Sequence, residues 1–252
     1  MDLGLQNKVF VVTGGTRGLG FATARALVAE GARVVLSGRD PAGVEAAVGQ
    51  LGRASTLGIV ADNADVETPG RLIAAAQARW DRLDGGCISV GGPPAGSMLA
   101  TSDDTWRSSF ETIFLGAVRT MRDLIGQCEE AASIVVVLST SVRVPIPELA
   151  ISNALRPALA MLSKDVADEV GPRGIRINGL IPGKIDTERV RALDRAHGES
   201  DVVRARASAG IPLRRYGRPE EFGAVATFLL SPVSSYVTGT VLAVDGGATR
   251  AL

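Results

Sequence analysis

The first chemistry in this chain lies in Thr13–Gly20, "TGGTRGLG", which follows the short apolar run "KVFVV" and opens the helical stretch "GFATARALVAEG". Glycines at such a junction have a specific use. Gly14 and Gly18 let the backbone turn sharply and approach a pyrophosphate, and Gly20 permits tight packing of helix on strand. The free N–H groups at the helix start then supply an anion site. The second feature is Arg39. After its second strand a dinucleotide-binding chain carries either an acidic residue for the ribose hydroxyls or an arginine for a 2′-phosphate. Here the strand runs through Ser37 and Gly38 to Arg39, while Asp40-Pro41 has the form of a helix N-cap followed by proline at the first helical position. With the Asp40 carboxylate so engaged, Arg39 and Arg17 point to NADP(H) rather than NAD(H). The alternative is a solvated Arg39 that contacts nothing.

These groups need elements to position them. Beyond "GFATARALVAEG", which ends at Gly31, the chain alternates "RVVLS", a helix near 41–51, "TLGIVAD", a helix near 69–80, "GGCISV" and a long helix near 103–127. It continues with "SIVVVLS", a helix in the 150s and 160s, "IRINGLIP", a helix near 219–230 and "VLAVDGG". Seven apolar strands alternating with helices predict a single α/β domain over 1–252. Its core is a Rossmann-type, doubly wound parallel sheet with helices on both faces. The polar, Arg-rich segment 183–218 interrupts the pattern and is expected to lie, lid-like, over the carboxyl ends of the strands.

Composition narrows the function. Twenty-seven basic residues balance twenty-seven acidic ones, which disfavours nucleic acid or an anionic membrane surface as partner and favours a small-molecule substrate. No apolar run reaches the roughly 18 residues of a membrane span. With only Cys87 and Cys128 and no charged-then-apolar leader, the expectation is a reduced, cytoplasmic protein. A single histidine, His197, excludes a histidine metal cluster, and its polar setting, "DRAHGES", suggests a surface role.

At this point the chain resembles the short-chain dehydrogenase/reductase family over nearly its whole length, and its 3-oxoacyl carrier-protein reductase-like members in particular. The matching stretches are "TGGTRGLG", "VADNAD", "SFETIFLGAV", "VVVLSTS", "GPRGIRINGLIPGKIDTE", "PLRRYGRPEE" and "YVTGTVLAVDGG". The resemblance implies that Asp62 and Asn63 contact the adenine end, although Asp62 also fits a strand-end cap. It implies that Pro182 and Gly183 shape the nicotinamide pocket, that Ile185 and Thr187 contact the nicotinamide, and that the protein is a homotetramer or homodimer. The candidate cofactor set is thus Gly14, Thr16, Arg17, Gly18, Leu19, Gly20, Arg39, Asp62, Asn63, Ser89, Gly91, Arg156, Pro182, Gly183, Ile185 and Thr187.

Departures from the family pattern concentrate around the chemistry. The family's Asn-Asn-Ala-Gly run is replaced by Ile88-Ser89-Val90-Gly91, and its active-site Asn falls on Ile113. Ser139 stands at the catalytic serine position, but the family's Tyr falls on Ser152 and its Lys on Arg156. A serine hydroxyl is a far weaker acid than a phenol, and an arginine does not readily exchange protons. Arg156 can still hold a cofactor ribose. Pro157 lies inside the next helix and kinks it if that helix starts near Leu149, or sits in its first turn if it starts near Arg156; either way 150–157 is expected to depart from the family geometry.

Lys184 and Arg143 are the other candidates for substrate or cofactor contact, against ordinary surface charge. The arginines at 189, 191, 195, 204 and 206 are interleaved with acidic residues at 186, 188, 194, 199 and 201, which favours a solvated amphipathic lid over an anion trap. Tyr216 and Tyr236, the only tyrosines, lie away from the motif position. The expected activity is an NADPH-dependent reduction of a carbonyl, quinone or activated enone with an altered acid/base set. The alternatives are a non-catalytic NADP(H)-binding scaffold or sensor, and a lyase or isomerase using the same pocket.

Overall fold

Short aliphatic runs flanked by helices gain most when covered on both sides, and Val9–Val12 (β1) and Ser133–Val137 (β5) hold only buried residues. The computed structural model describes every residue except Glu129, Glu130, His197, Glu199 and Leu252, so the surface role expected for His197 lies outside the described residues. From β1 the chain passes through α1 (Gly18–Ala29), β2 (Arg33–Gly38), α2 (Pro41–Leu51), β3 (Thr56–Val60) and α3 (Thr68–Trp80). It continues as β4 (Gly85–Ile88), α4 (Asp103–Ser109), α5 (Gly116–Gln127), β5, α6 (Ala150–Val170) and β6 (Arg176–Pro182). The last elements are α7 (Glu188–Ala196), α8 (Ser200–Ala209), α9 (Pro219–Leu230) and β7 (Val241–Val244).

The strands form one sheet in the order β3-β2-β1-β4-β5-β6-β7, parallel throughout. Alternate side chains face opposite layers. Val9 and Val11 pack with Leu72, Met121 and Leu159 from α3, α5 and α6; Phe10 and Val12 pack with Leu27, Val44 and Phe222 from α1, α2 and α9. Winding reverses between β1 and β4, paired from Phe10↔Gly85 to Val12↔Cys87, and a crevice opens beyond that pair. Among the described residues no helix is long and apolar enough to cross a membrane.

Two helices refine the sequence reading. The long helix expected near 103–127 is interrupted by a π-helical segment, Phe110–Leu115, whose wider turn seats Ile113 in the core at 3% exposure. The helix carrying Pro157 takes the early start: it runs unbroken from Ala150 with the proline inside, which removes the amide that would bond the Asn153 carbonyl. Asp40 caps α2 as expected, accepting from the amides of Ala42 (3.2 Å) and Gly43 (3.0 Å).

Helices α1 and α9 meet closely because Gly223 has no side chain: a Cβ there would lie 2.5 Å from the Ala22 carbonyl oxygen. Gly223→Val is expected to destabilise the fold by about 1–3 kcal/mol through overpacking, read as a lower urea midpoint. An unchanged midpoint would show that the two helices separate freely.

Candidate active site

The chain leaves β1 through Thr13, whose buried hydroxyl accepts from the Ser89 amide (3.0 Å) and donates to the Ser89 carbonyl (3.1 Å). Gly14 and Gly18 follow, both at φ +56°, a conformation side chains rarely adopt. A Cβ on Gly14 would collide with the Ser89 carbonyl, and one on Gly20 with the Gly14 carbonyl. At Gly18 the nearest atom would be the Thr187 methyl, 3.7 Å away. The result is a cradle, walled by glycine backbone and Thr187, over amides that have no helical acceptor. Thr16 packs its methyl against Gly38, and Leu19 anchors the first turn in the core, so the loop is held from behind.

Charged side chains line the outer edge of this cradle. Arg17 pairs with Glu188 at 3.1 Å, and Arg39 lies 4.0 Å from Asp62. Both arginines are about three-quarters exposed (76% and 74%), so these pairs contribute at most about 1 kcal/mol and yield easily to a more highly charged partner. Asp62 is also the strand-end cap that its position allowed, accepting from the Ala64 amide at 3.0 Å. The carbonyl of Asn63 backs onto Gly116 at the start of α5.

Beyond the ends of β4 and β5 the polar groups are bonded mostly to each other. Ser139 is half-buried and its Oγ accepts from the Ser141 amide at 3.2 Å. Ser152, 4% exposed, places its Oγ 3.0 Å from Ser141 Oγ, which donates its one proton to the Ser152 carbonyl at 3.1 Å. Within that pair the Ser152 hydroxyl is therefore the donor. Arg156 is equally buried and donates from Nη1 to the Val137 carbonyl (2.6 Å) and from Nη2 to the Val90 carbonyl (3.3 Å). Burial pushes its guanidinium down to about 10. Val90 lies between Ser89 and Gly91, so Arg156 ties the loop after β4 to the end of β5. Arg143 is exposed beyond the short 3-10 turn Thr140–Val142.

The segment 183–218 is held by a charged network. The Lys184 ammonium bonds Asp194 Oδ1 at 2.8 Å, and the Tyr216 hydroxyl donates to Asp194 Oδ2 at 2.9 Å; Asp194 is 3% exposed. The Arg204 guanidinium covers the Tyr216 ring at 4.4 Å, with Lys184 at 5.7 Å. Arg204 and Arg191 hold the Asp186 carboxyl far below the usual carboxylate range, whereas burial and Asp194 push Tyr216 up to about 12. Ile185, 3% exposed, bridges to Gly217, and Gly183 packs against Asp245 beside Pro182.

A family model described as enoyl-(acyl carrier protein) reductase matches residues 14–249. Dehydrogenase/reductase SDR family member 2, mitochondrial, from Homo sapiens is 33% identical, covering 98% of this chain and 88% of its own. Dehydrogenase/reductase SDR family member 4 from Homo sapiens is 34% identical, covering 98% and 90%. The solved short-chain dehydrogenase/reductase from Brucella melitensis superposes with a TM-score of 0.92 at 28% identity over 100% of both chains. L-sorbose reductase from Gluconobacter frateurii, solved with NADPH and L-sorbose, gives 0.91 at 26% identity, again over 100% of both. The chain belongs to the short-chain dehydrogenase/reductase family.

Short-chain dehydrogenase/reductases are oxidoreductases that use NAD(P)H, and the glycine cradle with its open amides fits such a cofactor. The glycine loop meets Ser89 at Gly14 and Thr187 at Gly18, Ser139 follows the end of β5 and Pro182 ends β6, while Arg39 and Asp62 follow the ends of β2 and β3. Lys184 is turned to Asp194, and Arg156 to backbone carbonyls. Three residues were missed: Ser141, Asp194 and Asn153. The amide of Asn153 bonds both the N–H and the carbonyl of Ile146 at 2.9 Å, pinning the loop after β5 to α6. No local signal marks the first two, since their partners are distant in sequence; Asn153 stood inside a stretch already singled out.

Tyr216→Phe keeps the ring between Arg204 and Lys184 but deprives buried Asp194 of one donor. The expected cost is about 1–3 kcal/mol, seen as faster amide exchange across α7 and a lower unfolding midpoint. Unchanged exchange would show that this hydrogen bond does not hold the helix.

Proposed function

We propose that the protein is an NADPH-dependent reductase with an altered acid/base set, acting on quinones, activated enones or polyketide-type aromatic carbonyls. The observation that carries this reading is the buried Ser141–Ser152 hydroxyl pair at 3.0 Å. It occupies the position where the family resemblance calls for a tyrosine acid, and its protons are committed internally. Lys184 is neutralised by Asp194, and Ile113 is buried in the core. Ser139 has no acceptor for its hydroxyl proton among the described residues, so it serves as the donor to a substrate oxygen.

When bound in the glycine cradle, NADPH would supply a hydride. Ser139 orients the acceptor oxygen and hydrogen-bonds the negative charge that collects there, without transferring its own proton. A product that persists as a stabilised anion then needs no matched acid at the site, and water completes the protonation. NADPH rather than NADH is favoured by Arg17 and Arg39, whose exposed carboxylate partners a phosphate dianion readily displaces. The NADPH complex of L-sorbose reductase is consistent with that choice. The same proposal includes a lid function for 183–218, a cytoplasmic location, and self-association as a homotetramer or homodimer. Tyr236 and Leu242, exposed on and before edge strand β7, support the last point.

Single-turnover NADPH oxidation across quinones, activated enones, 3-oxoacyl thioesters and plain ketones tests the reading. Quinones and enones are expected to oxidise NADPH fastest, with Ser139→Ala slowing them about 100-fold. Tight NADPH binding without oxidation by any acceptor would overturn it and leave a nucleotide-binding scaffold. For the cofactor, Arg39→Ala is expected to weaken NADPH binding about tenfold while leaving NADH unchanged; equal effects on both would refute the assignment to the 2′-phosphate.

A further inference from the structure

A buried guanidinium normally comes with acceptors for its N–H groups or a carboxylate for its charge. Arg176, 9% exposed at the start of β6, shows how this fold supplies them. It donates to the carbonyls of Leu229, Ser231 and Val237 and to the Ser234 hydroxyl, at 2.8–3.3 Å. Arg156 is more deeply buried, yet the bonds described for it are the two to Val137 and Val90. Among the described residues no carboxylate pairs with it. A second, exposed arginine also holds this loop: Arg189, at the start of α7, donates to the Pro93 carbonyl and lies against Gly92, again with no carboxylate partner among the described residues. The carbonyls of Val90 and Pro93 are thus each held by a guanidinium that no described carboxylate pairs with, and of the two it is Arg156 whose charge is buried.

Arg156 reaches backbone that adjoins the crevice residues. Val137 is two residues before Ser139, and Val90 adjoins Ser89 and Gly91, so Arg156 lies beneath the floor that these residues share. We propose that Arg156, assisted by Arg189, is the fixed countercharge of an anion subsite at Ser139, and that the site selects phenols, enols and hydroquinones as their oxyanions. Arg156 acts here as a positioning residue, through the field it sets at Ser139. Ser139 contributes the hydrogen bond and Arg156 most of the potential, because its burial leaves the charge weakly screened while exposed Arg189 is screened by solvent. This rests on Ser139 being a donor to ligand oxygen, but not on turnover. A ligand that ionises on binding and is never reduced would satisfy it.

The test uses 4-nitrophenol, whose phenolate is read by absorbance, bound to the full-length protein with NADP+ present. The bound probe is expected to ionise at least about one pH unit below the free phenol, a tenfold preference for the anion. Arg156→Lys should retain most of that shift, Arg156→Gln should abolish it, and Arg189→Gln should reduce it. Arg189→Gln, at the exposed arginine, keeps the test open if Arg156→Gln does not fold. Failure of the wild type to bind the probe, ionisation of bound probe at the pH of the free phenol, or an undiminished shift in every glutamine variant that folds would each overturn the proposal. NADPH oxidation by quinones together with an unshifted probe would reject the countercharge and leave the reductase reading standing.

Discussion

One buried hydroxyl determines where the crevice begins. Pairing of β1 with β4 ends at Val12↔Cys87, and the Thr13 amide adds one more bond, to the Cys87 carbonyl at 3.1 Å. The Thr13 hydroxyl then extends the ladder by a side chain, using both the amide and the carbonyl of Ser89. Past that point the two strands must part, because Gly14 turns away under the Ser89 carbonyl with no room for a Cβ. The glycine loop, the Ser89–Gly91 loop and the floor over Arg156 all take their positions from this divergence. Removing the hydroxyl would strand two buried backbone groups, each worth about 1–3 kcal/mol if left unpaired.

Much of this was legible in the sequence because it is local. Alternation of apolar strands with helices, the Asp40-Pro41 cap and the glycine loop depend on neighbours within a few residues, so composition and spacing reveal them. The π-helical turn at Phe110–Leu115 was not legible, since an unbroken apolar periodicity conceals one inserted residue. Pro157 was ambiguous for a physical reason: its ring suits a first turn, and only the packing of Ile151, Leu155 and Leu159 into the core favours the early start that places it inside α6. The partners of the site residues were hidden most completely. Ser141 and Ser152 meet across a loop of 11 positions, Lys184 finds Asp194, and Arg17 finds Glu188 171 positions away. Charge patterning can suggest such pairs but cannot choose among arginines and carboxylates so closely interleaved.

Once formed, these pairs make the mouth of the crevice a closed circuit. The Gly96 amide bonds the Glu148 carbonyl at 2.7 Å, and the Ala150 amide returns to the Gly96 carbonyl at 3.2 Å, joining the loop after β4 to the head of α6. Asn153 holds Ile146 to the same helix, and Arg189 joins α7 to Pro93. The loops after β4 and β5 and the start of α7 are thus fixed to neighbours by backbone and side-chain hydrogen bonds. Dipoles held in this way need not reorganise when charge develops, which is the condition under which hydrogen bonds stabilise an ion most.

That rigidity limits which chemistry the site can perform. Proton transfer needs a donor whose acidity matches the working pH, and among the described residues Ser141, Ser152 and Lys184 are paired internally, while the hydroxyl of Ser139 is far too weak an acid. Tyr216 shows the contrast. It is the buried phenol of the chain, but Asp194 and burial raise its pKa to about 12, and it holds the 183–218 segment instead. Electrostatic stabilisation needs no such match, because a fixed cation and a directed hydroxyl act on charge wherever it collects. Under the proposed reading, a crevice with a buried guanidinium and a directed hydroxyl selects ligands by how well they carry a negative charge on oxygen rather than by how readily they accept a proton.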